Sequence, residues 1–154
     1  MCIRTEAIGE IHVAAMRHVG PYERIGTAFE KLDRWAHASK LIQSVPRLLA
    51  IYHDDPGRIP ADKLRADACV EVSSDFRGEG EVEPATVPAG RYAVTEHRGS
   101  YDLLGDAWSE FRHRLSVRGD LPIDDRPCFE RYLNTPRNAA PADLVTKLCL
   151  PLKS

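Results

Sequence analysis

The chain carries one pattern twice. His18-Val19-Gly20-Pro21-Tyr22, followed by Ile25, Gly26 and Phe29, returns as His97-Arg98-Gly99-Ser100-Tyr101, followed by Leu104, Gly105 and Trp108, at a constant offset of 79. Farther along, Tyr52, Pro56 and Cys69-Val70 return as Tyr132, Pro136 and Cys149-Leu150 at an offset of 80, so one residue has been inserted between the blocks. Two copies of a unit half the chain long are a duplication, not a solenoid, whose stability needs more repeats than two. With 154 residues and 43% hydrophobic content the chain has the size of one domain, and each copy alone buries too little surface to be stable. The copies are therefore expected to share a core, and the seam between them is the natural place for a ligand.

Each repeat opens on a short extended segment, 3–7 or 81–87, and continues into a longer strand, 11–18 or 91–97. Gly20-Pro21 and Gly99-Ser100 then break the strand and start a helix, with Pro suited to a first helical position and Ser to an N-cap. Tyr22, Ile25, Phe29, Leu32 and Ala36, and likewise Tyr101, Leu104, Trp108, Phe111 and Leu115, recur at spacings of three and four, the apolar stripe of a helix lying on a sheet. Two extended runs follow each helix, 47–53 with 66–73 and 129–134 with 144–152, joined by Pro-containing loops. The expected fold is α+β: two tandem strand-helix-strand-strand repeats, 1–76 and 81–154, forming an antiparallel sheet with the helices on one side, with 74–80 as the linker.

Several function classes are excluded or disfavoured. The net charge of −2, with Lys and Arg interspersed among Asp and Glu, leaves no basic block to meet a phosphate backbone, so direct nucleic-acid binding is not expected. No signal-peptide pattern opens the chain and no run of roughly 18 apolar residues occurs, which points to a cytoplasmic protein without a membrane partner. Cys2, Cys69, Cys128 and Cys149 lack C-x-x-C spacing and the six histidines lack H-x-x-x-H spacing, so small core thiols are expected in place of disulfides or a metal site. No G-x-S-x-G, P-loop or H-E-x-x-H motif is present, and no cofactor is implied.

Function is sought where the copies disagree. In the strand around Cys128, Glu130 and Tyr132 the period of two puts these three side chains on one face, and the offset of 80 maps them to Leu48, Ala50 and Tyr52. One repeat thus has Glu where the other has Ala, between matched tyrosines. In one reading Glu130 is a single carboxylate in an aromatic-walled cleft, its pKa raised by burial, and a lipophilic cation entering the cleft restores the ionised form. In the other it pairs with Arg126, Arg131 or Arg17 and ties strands together. Trp108 and Phe29 read first as core residues, with a ligand-facing role as the alternative. Tyr22 and Tyr101 are expected to brace the strand-to-helix turns, and His18 and His97 to hold those turns by hydrogen bonds.

The turns HVGPY and HRGSY, the runs KLRADACV at 63–70 and PAGRYAV at 88–94, and PCFERYLN at 127–134 together resemble the GyrI-like small-molecule-binding family, which includes the effector-binding domains of regulators such as Rob and BmrR. The resemblance spans nearly the whole chain. It implies a single effector-binding domain over 1–154 built from two SHS2-type modules about a pseudo-twofold axis, with a central groove for drug-like molecules. It also implies that Glu130 is the pocket carboxylate and Tyr132 its aromatic neighbour; Tyr52, Trp108 and Phe76 join them as ligand-binding candidates from the repeat geometry. Because the effector-like pattern begins within the first few residues, a stand-alone protein is expected and not a one-chain transcription factor. Three roles are then open: capture of a hydrophobic, cationic or planar toxic compound; hydrolysis of a cyclopropane-type electrophile with Glu130 as general base or orienting water; and modulation of DNA gyrase by protein contact.

Overall fold

The computed structural model describes residues 1–39 and 46–154. Eight strands and two α-helices lie among them: β1 (Arg4–Ile8), β2 (Ile11–Val19), α1 (Gly26–Ala38), β3 (Leu48–Tyr52), β4 (Arg65–Glu71), β5 (Val82–Val87), β6 (Gly90–Arg98), α2 (Leu104–Arg118), β7 (Cys128–Tyr132) and β8 (Val145–Pro151). The fold is α+β, and β1–β6, β2–β4, β2–β5, β3–β4, β6–β8 and β7–β8 all pair antiparallel. The elements fall within a few residues of the segments expected from the repeat.

The chain divides into two compact units, one formed by Gly9–Ala89 and the other by Met1–Ile8 with Gly90–Ser154. In the first, β2 pairs with both β4 and β5, and β3 pairs with β4. In the second, β6 pairs with both β8 and β1, and β7 pairs with β8. The opening strand of each sequence repeat is therefore exchanged: β1 pairs in the sheet of the second repeat and β5 in the sheet of the first. The period in the sequence and the unit in space differ by that one strand. Registers repeat as faithfully as residues do, with Val13↔Glu71 to Val19↔Arg65 matched by Tyr92↔Pro151 to Arg98↔Val145.

In each unit the helix covers one face of its sheet. Ala28 and Leu32 of α1 are buried against Ala14, Met16, Ala68 and Val70, with Phe29 and Trp35 at the margin. Leu104, Ala107, Phe111 and Leu115 form the buried stripe of α2, while Trp108 sits at its shoulder, half-buried. The turn before each helix is built the same way twice. Gly20 and Gly99 adopt φ of 135° and 139°, a region that disfavours any side chain, and their N–H groups donate to the Leu64 and Leu144 carbonyls, both at 2.8 Å. His18 Nε2 donates to the Pro21 carbonyl at 2.9 Å and His97 Nε2 to the Ser100 carbonyl at 3.3 Å, so both histidines hold turns. Ser100 Oγ accepts from the Asp102 N–H, capping a short 3₁₀ turn, whereas Pro21 precedes the equivalent turn.

The opposite face holds a charge cluster in the first unit. Asp67, 4% exposed, accepts from Arg17 Nε at 2.7 Å and from His53 Nε2 at 2.6 Å. Burial works to raise the Asp67 pKa, but the His53 and Arg17 hydrogen bonds outweigh it and the net shift is downward. A carboxyl lowered on folding adds stability that is complete above its ordinary value of about 3.9 and is lost as pH falls through its native value. Melting temperatures measured from pH 7 down to 2 are thus expected to show an acid limb that Asp67→Asn flattens. At the matching position of the second unit stands Lys147, which reaches Glu6 Oε1 at 2.6 Å. Cys69 and Cys149 are buried core residues at matching positions; burial raises both thiols, that of Cys149 to about 12.

Candidate functional site

β7 and α2 position a polar site beneath the helix. Alternation along β7 sends Cys128, Glu130 and Tyr132 to the face that α2 covers; α2 contacts Cys128 and Glu130, and the 3₁₀ turn before it contacts Tyr132. Trp108 Nε1 donates to Glu130 Oε1 at 2.7 Å, and the Tyr132 hydroxyl donates to Glu130 Oε2 at 2.8 Å. Glu130 is only 1% exposed, so both carboxylate oxygens are withdrawn from water yet satisfied and aimed by named donors. Arg112, one turn after Trp108, donates to Cys128 Sγ at 3.5 Å and lies 5.7 Å above the Trp108 ring. The Tyr101 ring tilts against Tyr132 with centroids 5.4 Å apart, and burial, then the Glu130 charge, raises the Tyr101 phenol. Burial raises the Cys128 thiol to about 11.

Duplication supplies an internal control for this site. The first unit has the matching tyrosine pair, Tyr22 and Tyr52, with ring centroids 4.7 Å apart, but Ala50 in place of Glu130 and Phe29 in place of Trp108. The aromatic bracing therefore belongs to the fold. The carboxylate and its indole donor are present on one side only.

The model of the GyrI-like small molecule binding domain matches residues 1–153. This chain belongs to the GyrI-like family. Among curated relatives of this GyrI-like chain, a DNA gyrase inhibitor of Pectobacterium carotovorum subsp. carotovorum (strain PC1) is 35% identical over 137 residues, which is 86% of this chain and 87% of that protein. The crystal structure of the EcmrR C-terminal domain shares the fold with a TM-score of 0.78 at 18% identity, covering 99% of this chain and 98% of that one. So does the structure of SAV2435 bound to tetraphenylphosphonium, with a TM-score of 0.70 at 13% identity, covering 100% of this chain and 95% of that one.

Of the residues singled out in the sequence, the GyrI-like structure brings Glu130, Tyr132 and Trp108 together by hydrogen bonds. Tyr52 lies in the other unit, against Tyr22, and Phe76 packs edge-on to Trp35 with centroids 5.6 Å apart in the layer under α1. The arginines weighed as partners of Glu130 include two that engage elsewhere, Arg17 with Asp67 and Arg126 with Asp124. Trp108 and Tyr132 are among the partners of Glu130, and both are neutral donors. A cavity of about 360 Å³ also opens beside α2, lined by Thr95, His97, Leu103, Asp106, Ala107 and Leu148 among others, and Glu130 is not in its wall. Sequence reasoning missed the Tyr101 stacking and the Arg112 contact. The signal for the latter was available, since Arg112 stands four residues from Trp108, one helical turn away.

Proposed function

We propose that this GyrI-like protein captures a hydrophobic cation at Glu130 and so protects against toxic compounds of that class. The observation that carries the reading is the buried carboxylate, aimed by Trp108 and Tyr132 and present in one repeat only. A cation entering the site finds a carboxylate already withdrawn from water, where Coulomb attraction to its ionised form is far stronger than at a surface. The aromatic rings around it favour a diffuse charge and supply apolar contact. That SAV2435 binds tetraphenylphosphonium on the same fold supports the ligand class. Equilibrium dialysis against tetraphenylphosphonium, a panel of planar cations and cyclopropane-type electrophiles, with mass spectrometry of the recovered compounds, tests it. Saturable binding with every compound recovered intact is the expected result. A strained electrophile recovered with one added water, only with Glu130 present, would replace capture with hydrolysis.

One observation favours a second reading. The relative at 35% identity is a DNA gyrase inhibitor, which points to modulation of gyrase by protein contact. In that role Glu130→Gln leaves the effect on supercoiling intact, and substitutions on exposed surfaces abolish it.

A further inference from the structure

Thr146 is fully buried, and its Oγ1 has no hydrogen-bond partner among the described residues. It lies on β8 with Tyr132 directly across on one side and His97 directly across on the other. Residues directly opposite in antiparallel strands point to the same face. Thr146 therefore shares the helix-covered face with Tyr132, whose hydroxyl holds Glu130, and its other neighbour, His97, lines the cavity beside α2.

The first repeat keeps this arrangement and changes one residue. Ala66 sits between Tyr52 and His18 in the same register, so the fold is built equally well without a hydroxyl. A buried hydroxyl that finds no partner is destabilising, and such groups are rare enough to need a reason. Glu130, Trp108 and Thr146 are three polar groups of one unit standing where the other has Ala50, Phe29 and Ala66. Two of the three bond each other and the third has its hydrogen-bonding capacity unused.

We propose that Thr146 is a specificity residue of the Glu130 site, its hydroxyl bonding the head group of a bound amine, so that the site selects protonated amines over quaternary cations. The inference rests on the capture reading above. A secondary ammonium carries two N–H donors, one for the Glu130 carboxylate and one for Thr146 Oγ1. A quaternary cation offers the same charge and no donor, which leaves the hydroxyl unpaired, and a site built to hydrogen-bond its ligand discriminates against the analogue that lacks the bond.

The test compares N-methylbenzhydrylammonium with benzhydryltrimethylammonium, two cations on one aromatic body, by calorimetric titration of the wild type, Thr146→Val and Thr146→Ala. Wild type is expected to favour the secondary ammonium by about tenfold, the worth of one hydrogen bond. Both variants lose that preference by weakening the secondary ammonium alone, and Thr146→Val, which keeps the side-chain volume, does not lower the melting temperature of the unliganded protein because the hydroxyl it removes had no partner, whereas Thr146→Ala also removes a buried methyl and melts lower. Equal binding of the two cations by wild type, or a preference that survives in both variants, overturns the role of Thr146 while leaving capture at Glu130 standing. Failure of wild type to bind either cation overturns both.

Discussion

Glu130→Gln is expected to weaken the binding of tetraphenylphosphonium by at least about thirtyfold while the unliganded protein stays folded. Gln matches Glu in shape, and the existing donors can accommodate it. Its Oε1 accepts from Trp108 Nε1, and its amide donates to the Tyr132 hydroxyl, which serves as acceptor as readily as donor. What disappears is the charge. Because the site is buried, the lost attraction is not replaced by solvent, and removal of one partner from a buried charge pair costs about 2 kcal/mol or more. Dialysis of both proteins at equal concentration measures the ratio directly. Tetraphenylphosphonium offers no hydrogen bond, so the measurement isolates charge from the donor effects assigned to Thr146.

Phe111→Ala is expected to produce the largest loss of stability of any single truncation in α2, about 3–5 kcal/mol, seen as a melting temperature lower by about 10 °C. Phe111 is fully buried at the centre of the helix stripe, so its ring cannot be replaced by water and the surrounding side chains collapse only in part. The ring also lies 5.9 Å from that of Trp108, which makes it part of the support that holds the indole against Glu130. Cation affinity is therefore expected to fall together with stability in this variant. Val117→Ala, on the exposed side of the same helix, leaves both within experimental error.

Much of this is legible in the sequence alone. The duplication set the strand-helix-strand-strand order, the Gly turns with their histidines and the apolar stripes, because each rests on local chemistry that a sequence shows directly. Asymmetry between Ala50 and Glu130 singled out the carboxylate for the same reason. The exchange of β1 and β5 between repeats was not legible, since the partner of a short strand is decided by distant sheet edges and not by its own residues. Asp67 and His53 were also missed: scattered along the chain they resemble solvated charges, and only the register of β2, β3 and β4 gathers them. Thr146 gave no signal at all, because a threonine in a strand fits β propensity without further explanation. Its meaning comes from what it fails to bond. In the sequence Trp108 belongs with the core stripe, and its half-buried place at the shoulder of α2 shows why: one step around the helix separates the stripe from the site.

Only two tryptophans occur in the chain, Trp35 and Trp108, and only Trp108 donates to the carboxylate. Its indole N–H resonance therefore reports on Glu130 from one bond away. In a nitrogen-edited NMR titration with tetraphenylphosphonium, capture at Glu130 predicts that the Trp108 indole signal moves in a saturable manner in the wild type and stays in place in Glu130→Gln over the same range of ligand. Saturable binding that leaves the Trp108 indole signal where it was would contradict the account, because a cation paired with that carboxylate cannot leave its nearest donor undisturbed.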